Sequence, residues 1–581
     1  MKKIQKFLIV IVFLTGSLSC SKTFLDEEPV DFLSTSNAFN TEADFNASVN
    51  NLYGLVRQQF FTVNDFAPFY YLYRTDVYFD ITVTTPNMAA DMAPRGFTNT
   101  MWAPNFKIIA EANTIISRLK ESSLTDAQKT AYEARARFFR AFAYRNLAYL
   151  YGGVPIVLEE VVTPKTDFTR ATRKEVYAKV IDDLKFAAAN LPSLSGTIKD
   201  GEVSIQAAQH LLSEVYLADG QFQNAITAAT TVISDPAMGL MTARFGRRST
   251  VTPGDVYWDL FQRGNQNRKS GNKEAIWVTQ IETDVTGGGG STAGGTQFGV
   301  YALERVHAPL MRDVTINGVA PFQWPIANYT GGRGVGFLAP NSYYINDIWV
   351  SDYNNDMRNA NHNLVRDFYG TNPASPYYGK LISTKNPPPG TKGIAGANGT
   401  DIVANKANRA IYPYQSKSTQ VYEPPQTLVT ANASVPAAIR NVDSLSRIYL
   451  TAGAGGTYID QYMFRLAETY LIRAEAYLGA GNTASAAADI NAIRARSNAA
   501  PITAGQVTID YILDERLREF GVEEKRMLTL MRLGKWVDRV RRFNPFYGTQ
   551  MQDYYNLWPI PQDEIEKNRS AKLEQNPGYP Q

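Results

Sequence analysis

The chain has 581 residues, with 58 Lys+Arg against 55 Asp+Glu, 12% aromatic residues and one cysteine. A single cysteine excludes an intramolecular disulfide framework, and the balanced charge gives no support to nucleic-acid binding. The length admits several domains of about 150 residues or one helical superstructure with a large core.

In chain order, Lys2, Lys3 and Lys6 precede the apolar run Phe7 to Leu14, then small residues and Cys20, the pattern of a secretory signal peptide. That run is shorter than the roughly 20 apolar residues a membrane-spanning helix needs, and no later stretch approaches that length. Cys20 is expected to be the lipid-carrying first residue of the mature chain, although Leu18 stands one place nearer to it than in the commonest lipobox. Stable anchoring takes at least two acyl chains, each contributing about 0.8 kcal/mol per buried CH₂. With the three leader lysines removed, Lys+Arg falls from 58 to 55 and equals Asp+Glu.

Asp26, Glu27, Glu28 and Pro29 suggest a polar tether, and residues 20–101 are assigned to tether and loops. From Trp102 to Ser234 apolar residues recur at three- and four-residue intervals, which predicts helices. In Tyr132 to Leu150 the positions Phe139, Phe142, Ala143, Leu147 and Leu150 fall on one stripe that Phe138 and Tyr149 widen, so this helix is expected between neighbours. Leu212, Ser213, Tyr216 and Ala225 carry the spacing of a tetratricopeptide repeat, closed by Pro236. Ala474, Tyr477 and Ala486 repeat that spacing, followed by Ile490 and Ile493. Between Thr250 and Gly456 the chain turns Gly-, Pro- and Asn-rich, as at Gly287 to Gly290 and Pro387 to Pro389. An irregular insertion is expected there, with Ala275 to Ile281 as a possible strand. Helix is predicted to resume at Tyr462 and to include Asp510 to Phe520 and Glu524 to Arg541, before an extended Pro-rich tail.

Four blocks in this order are similar to the SusD/RagB family over nearly the whole mature chain. They are Arg137 to Pro155, which ends in Gly152-Gly153-Val154-Pro155; Arg465 to Tyr477 with Asp489 to Arg496; Glu515 to Phe520 through Arg532 to Trp536; and Trp558 to Pro561 through Gln575 to Tyr579. The resemblance implies an all-α body of tetratricopeptide-like helical repeats with a large irregular insertion that carries the ligand site. It also implies a surface lipoprotein of the outer membrane that sits on a SusC-like TonB-dependent transporter. The division expected is signal peptide 1–19, lipidated tether and loops 20–101, N-terminal helical repeats 102–235, insertion 236–456 and C-terminal region 457–581. The blocks themselves read as structural: Gly152-Gly153 stops a helix, and Arg473 and Glu475 suit helix-surface or inter-repeat pairs.

A sugar presents an apolar C–H face and a rim of hydroxyls, so a site needs flat rings together with hydrogen-bonding groups. In the family the platform is usually built from residues near the first helix and from the central insertion. On that basis the candidates are Trp102 with Asn105, Tyr301 and Trp324, and more weakly Tyr329 and Arg74. Trp102 begins an amphipathic helix and suits a core anchor as well as a stacking ring. Trp324 lies between Pro321 and Pro325, which favours exposure. Trp277, Trp536 and Trp558 sit inside apolar or hallmark segments and read as structural. Neutral glycans are favoured over polyanions, because no dense Lys/Arg cluster accompanies these rings.

His210, His307 and His362 are far apart and form no His-Glu-x-x-His pair, and no Gly-x-Ser-x-Gly elbow or phosphate-binding loop occurs. Asp352, Asn354 and Asp356 alternate as in a calcium loop, but Met357 and Asn363 replace its glycine and glutamate, so they read as loop caps. The sequence therefore points to a non-enzymatic protein without cofactor that captures oligo- or polysaccharide and delivers it to the transporter. The alternatives are capture of peptide or another nutrient, a lipid-anchored glycoside hydrolase, and a scaffold.

Overall fold

Helix α1 (Glu42–Phe61) forms because Phe45, Val49, Leu52, Val56 and Phe60 recur every three or four residues and are all buried. It lies in the segment assigned above to tether and loops, so that assignment is corrected for these residues. The computed structural model describes residues 41–61, 70–81, 85–196, 199–288, 301–392, 411–419, 423–433 and 447–580, with single positions 39, 83, 290 and 421. Cys20 and the acidic tether lie outside the described residues.

The next helices are α2 (Trp102–Leu119), α3 (Asp126–Tyr151), α4 (Arg173–Asn190), α5 (Ile205–Ala218) and α6 (Phe222–Ile233). Thr125 and Thr172 start α3 and α4 with complete capping boxes to Gln128 and Glu175. Every residue of α3 from Phe138 to Tyr151 is buried, which is the enclosure expected for a helix apolar on all sides. It stops where Gly152 takes φ 78°, and a side chain on Gly153 would lie 2.2 Å from the Ala171 carbonyl oxygen.

Successive helices pack against one another from α2 to α6, and α6 then packs against α7 (Leu466–Gly479), more than 230 residues further along the chain. The repeat array is interrupted in sequence yet continuous in space. Helices α8 (Thr483–Arg496) and α9 (Ile509–Glu519) extend it. Ala225, Ala474 and Ala486, which the repeat spacing singled out, are all fully buried. This is an all-α, tetratricopeptide-like fold.

Two C-terminal expectations need correction. Gln461–Arg465 is a strand, β2, which pairs antiparallel with β1 (Ala275–Thr279); helix begins only at Leu466. Glu524 to Arg541 is broken into α10 (Arg526–Arg532) and α11 (Trp536–Phe543), because Gly534 between them adopts φ 62°. The β1–β2 pair closes the base of the insertion, where Leu466 N–H donates to the Glu274 carbonyl at 2.8 Å. Within the insertion the described strands are short and each pairs with a single partner.

The core joins body and insertion. Trp277 of β1 is buried edge-on among Phe138, Phe139, Phe142 and Phe464, with centroids 5.4–5.9 Å away. Buried Arg–carboxylate pairs link the elements: Arg140–Asp183 joins α3 to α4, Arg145–Glu214 joins α3 to α5, and Arg532–Glu475 joins α10 to α7. Arg473 pairs with Asp489 across α7 and α8 at 2.6 Å. The hallmark blocks also meet. Trp558 N–H donates to the Leu150 carbonyl at 2.7 Å, and the Asn576 amide donates to the Tyr151 and Trp558 carbonyls. The C-terminal tail thus covers the end of α3.

Candidate functional site

Among the six candidate residues the structure separates interior from surface. Asn105 is fully buried; its amide donates to the Met101 carbonyl at 2.5 Å and its oxygen accepts from Asn146 at 3.1 Å. Tyr301 is buried edge-on against Phe61, with ring centroids 5.2 Å apart. Both belong to the packed interior, which removes them from a surface platform. Arg74 has φ 61° and its guanidinium is engaged by Asp91 at 2.5 Å and by the Phe97 ring at 4.4 Å, so it holds a turn together.

Trp102 is 4% exposed and wedged between Phe106 and Tyr151, each 5.0 Å away. It forms part of the wall of a pocket of about 620 Å³ with Phe106, Val157, Val161 and Phe168. Pocket and helix are linked by the loop after α3: the Asn113 amide donates to the Val157 carbonyl at 2.9 Å, and Tyr144 hydroxyl bonds the same residue. Trp102 is therefore a core anchor that also borders a cavity. None of the insertion candidates borders this cavity.

Trp324 is half-buried. Its indole N–H reaches toward the Gly334 carbonyl at 3.4 Å, and the guanidinium carbons of Arg312 and Arg333 lie 5.1 and 5.4 Å from the ring centroid. The supporting loop is tightly built. Gly331 and Gly332 take φ 93° and 63°; a side chain at Gly332 would collide with the Glu304 carboxylate, and one at Gly334 with the Ala308 carbonyl. Pro325 accepts from Leu450 N–H at 3.1 Å, Ala327 donates to Ile448 at 2.9 Å, and Arg333 donates to Ala452 at 2.9 Å. Tyr329 is half-buried on the same loop, its carbonyl accepting from the Tyr414 hydroxyl. Rigid backbone thus presents an aromatic ring flanked by cationic donors. Arg312, exposed, and Arg333 escaped the reading of the sequence because nothing in their loop spacing ties them to Trp324.

The histidines and acids singled out by the sequence are engaged with protein partners. His210 shares a hydrogen bond with Thr469 at 2.8 Å, and His362 lies 2.6 Å from Asp255. Asp352 pairs with Arg494 and Asp356 with Arg358, which occupies the carboxylates of the calcium-like stretch. Carboxyl groups that burial pushes above their ordinary range are engaged as well: Glu274 by Arg496 and Arg465, Asp460 by Ile281 N–H and Asn267, and Asp489 by Arg473.

Comparison with known proteins agrees with this architecture. The SusD family model matches residues 273–579, and a second model, described as starch-binding associating with outer membrane, matches residues 23–217. SusD-like protein P2 of Formosa agariphila is 24% identical, with 100% of each chain covered. Starch-binding protein SusD of Bacteroides thetaiotaomicron is 38% identical over 20% of this chain and 21% of its own. Among solved structures, a laminarin binding SusD-like protein superposes with a TM-score of 0.63 at 20% identity, covering 93% of this chain and all of its own. Surface glycan-binding protein A of Bacteroides thetaiotaomicron, solved with laminarihexaose, gives 0.61 at 18% identity over 92% and 100%. The chain belongs to the SusD family.

Proposed function

We propose that this protein is a lipid-anchored surface protein of the outer membrane that binds oligo- or polysaccharide and hands it to a SusC-type TonB-dependent transporter. The observation that carries the binding step is Trp324: a half-buried indole on a rigid loop, with the guanidinium groups of Arg312, which pairs with Asp313 at 3.1 Å, and of Arg333 over its ring. Tyr329 lies on that loop, and Trp102 anchors the body beside a separate pocket. The family's named members, which include starch-, laminarin- and glycan-binding proteins, favour carbohydrate as cargo over peptide. Binding without cleavage is favoured because, among the described residues, the carboxyl groups held above their ordinary range are tied to arginines or amides, whereas a glycosidase needs a raised acid facing its substrate. Release into a transporter suits dissociation constants from micromolar to millimolar, about 8 to 4 kcal/mol.

The test is calorimetry with a panel of laminarin and starch oligosaccharides on the full mature chain. Trp324→Ala is expected to weaken the bound oligosaccharide at least tenfold, or about 1.4 kcal/mol. Unchanged affinity sinks the platform, and shortened oligosaccharide in a pure preparation sinks the non-enzymatic reading.

A further inference from the structure

A second cleft, of about 280 Å³, lies between α1, α3, the turn at 199–202 and β1. That is just below the roughly 300–1,000 Å³ typical of small-ligand pockets. Asn46, Asn50, Tyr53 and Arg57 lie at successive intervals of four, three and four residues, so α1 turns one polar stripe into the cleft while its apolar stripe faces the core.

Cations outnumber acids in this cleft. The half-buried Arg57 guanidinium donates only to neutral carbonyls, those of Gln280 at 3.3 Å and Gly287 at 2.5 Å. Burial lowers its pKa, with no carboxylate offsetting that cost. Among the described residues Arg135 donates only to the Ala131 carbonyl at 3.4 Å, and Lys199 forms no ion pair. Of the two carboxylates on the wall, Asp200 faces Lys269 at 3.7 Å, leaving Glu202 against three cations. Arg140, Arg145 and Arg473 are matched to acids, whereas Arg170, Arg268 and Arg366, like Arg57, donate to carbonyls or amides; what sets this cleft apart is that two guanidinium groups and a lysine share it. Guanidinium groups without acid partners beside exposed amides suit an anionic, hydroxyl-rich ligand.

We propose that this cleft binds one anionic sugar unit, its acid group held by Arg57 and Arg135 and its hydroxyls by the asparagines of α1. The site is separate from the Trp324 surface and does not depend on it. Here an uncharged hexose is disfavoured because it leaves the guanidinium groups unmatched.

The test is calorimetry of the full mature chain at low salt with galacturonic acid, galactose, a sulfated galactose and inorganic phosphate. Galacturonic acid or the sulfated sugar is expected to bind, with galactose at least tenfold weaker and affinity falling as salt rises. Arg57→Gln and Arg135→Gln are each expected to weaken the acidic sugar at least tenfold, while Trp324→Ala leaves it unchanged. Should Arg57→Gln fail to fold, Arg135→Gln and Lys199→Gln carry the test. Binding of neither acidic sugar, equal binding of galactose, insensitivity to both arginine substitutions, or phosphate binding as tightly as the sugars overturns the proposal. Loss of acidic-sugar binding in Trp324→Ala overturns the separateness of the two sites.

Discussion

At the scale of single residues, buried ionisable groups set how the fold responds to acid. His307 is fully buried; its Nδ1 donates to the Leu338 carbonyl at 3.0 Å and its Nε2 accepts from Gln415 N–H at 3.1 Å, so the ring is neutral. Burial pulls its pKa down to about 4. An unfolded histidine titrates near 6.5, so this contribution is complete above about pH 6.5 and is lost as pH falls toward 4. Asp76 behaves differently. Burial works to raise its pKa, but Arg526 and Arg539, at 2.6 and 2.9 Å, outweigh that and hold it down to about 2. Its contribution is complete above about pH 4 and is lost as pH falls toward 2. Thermal melts at pH 7.5, 5 and 3 are expected to fall in two steps, the first from His307 and the second from the arginine-paired carboxylates, Asp76 and Glu515 among them. A melting temperature constant between pH 7.5 and 5 contradicts the assignment to His307.

At the scale of elements, the ends of helices decide as much as their faces. Gly153 follows the left-handed Gly152, and a methyl group there would sit 2.2 Å from the Ala171 carbonyl oxygen at the entry to α4. Gly153→Ala must force apart the turn that joins α3 to α4, where Ala171 N–H also donates to the Val154 carbonyl at 3.1 Å. A loss of about 2–4 kcal/mol is expected in urea unfolding, within the range of severe backbone or packing defects. A loss below about 0.5 kcal/mol shows that the close approach is not required. The same turn explains the legibility of the hallmark block. Glycine and proline announce its position in the sequence, but the contact with Ala171 belongs to tertiary structure. Helix α1 shows the opposite failure: its apolar stripe was readable, yet its place behind an acidic tether made loop the simpler assignment.

At the scale of the whole molecule, the loop after α3 exposes apolar surface beside the Trp102 pocket: Val161 is 51% and Val162 72% exposed. Exposed apolar surface of this kind suits a protein partner, and in the proposed assembly the transporter barrel covers it. Native membranes carrying a tagged full-length protein are expected to yield a co-purifying TonB-dependent barrel, and Val161→Glu with Val162→Glu to reduce its recovery at least fivefold. Recovery unaffected by the double substitution removes this face from the interface. Loss of membrane association in Cys20→Ala is the matching expectation for the lipid anchor.

The sequence by itself determined the periodic helices, the repeat spacing, the glycine and proline stops and the loop-rich character of the insertion. These depend on local backbone preference and on which side chains recur along one face. Only the tertiary structure decided that α6 and α7 pack across the insertion, that Asn105 and Tyr301 lie inside while Trp324 reaches the surface, and that Arg57 and Arg135 share a cleft in which cations outnumber acids. Burial and charge compensation depend on which distant segments meet, and spacing along the chain does not encode that.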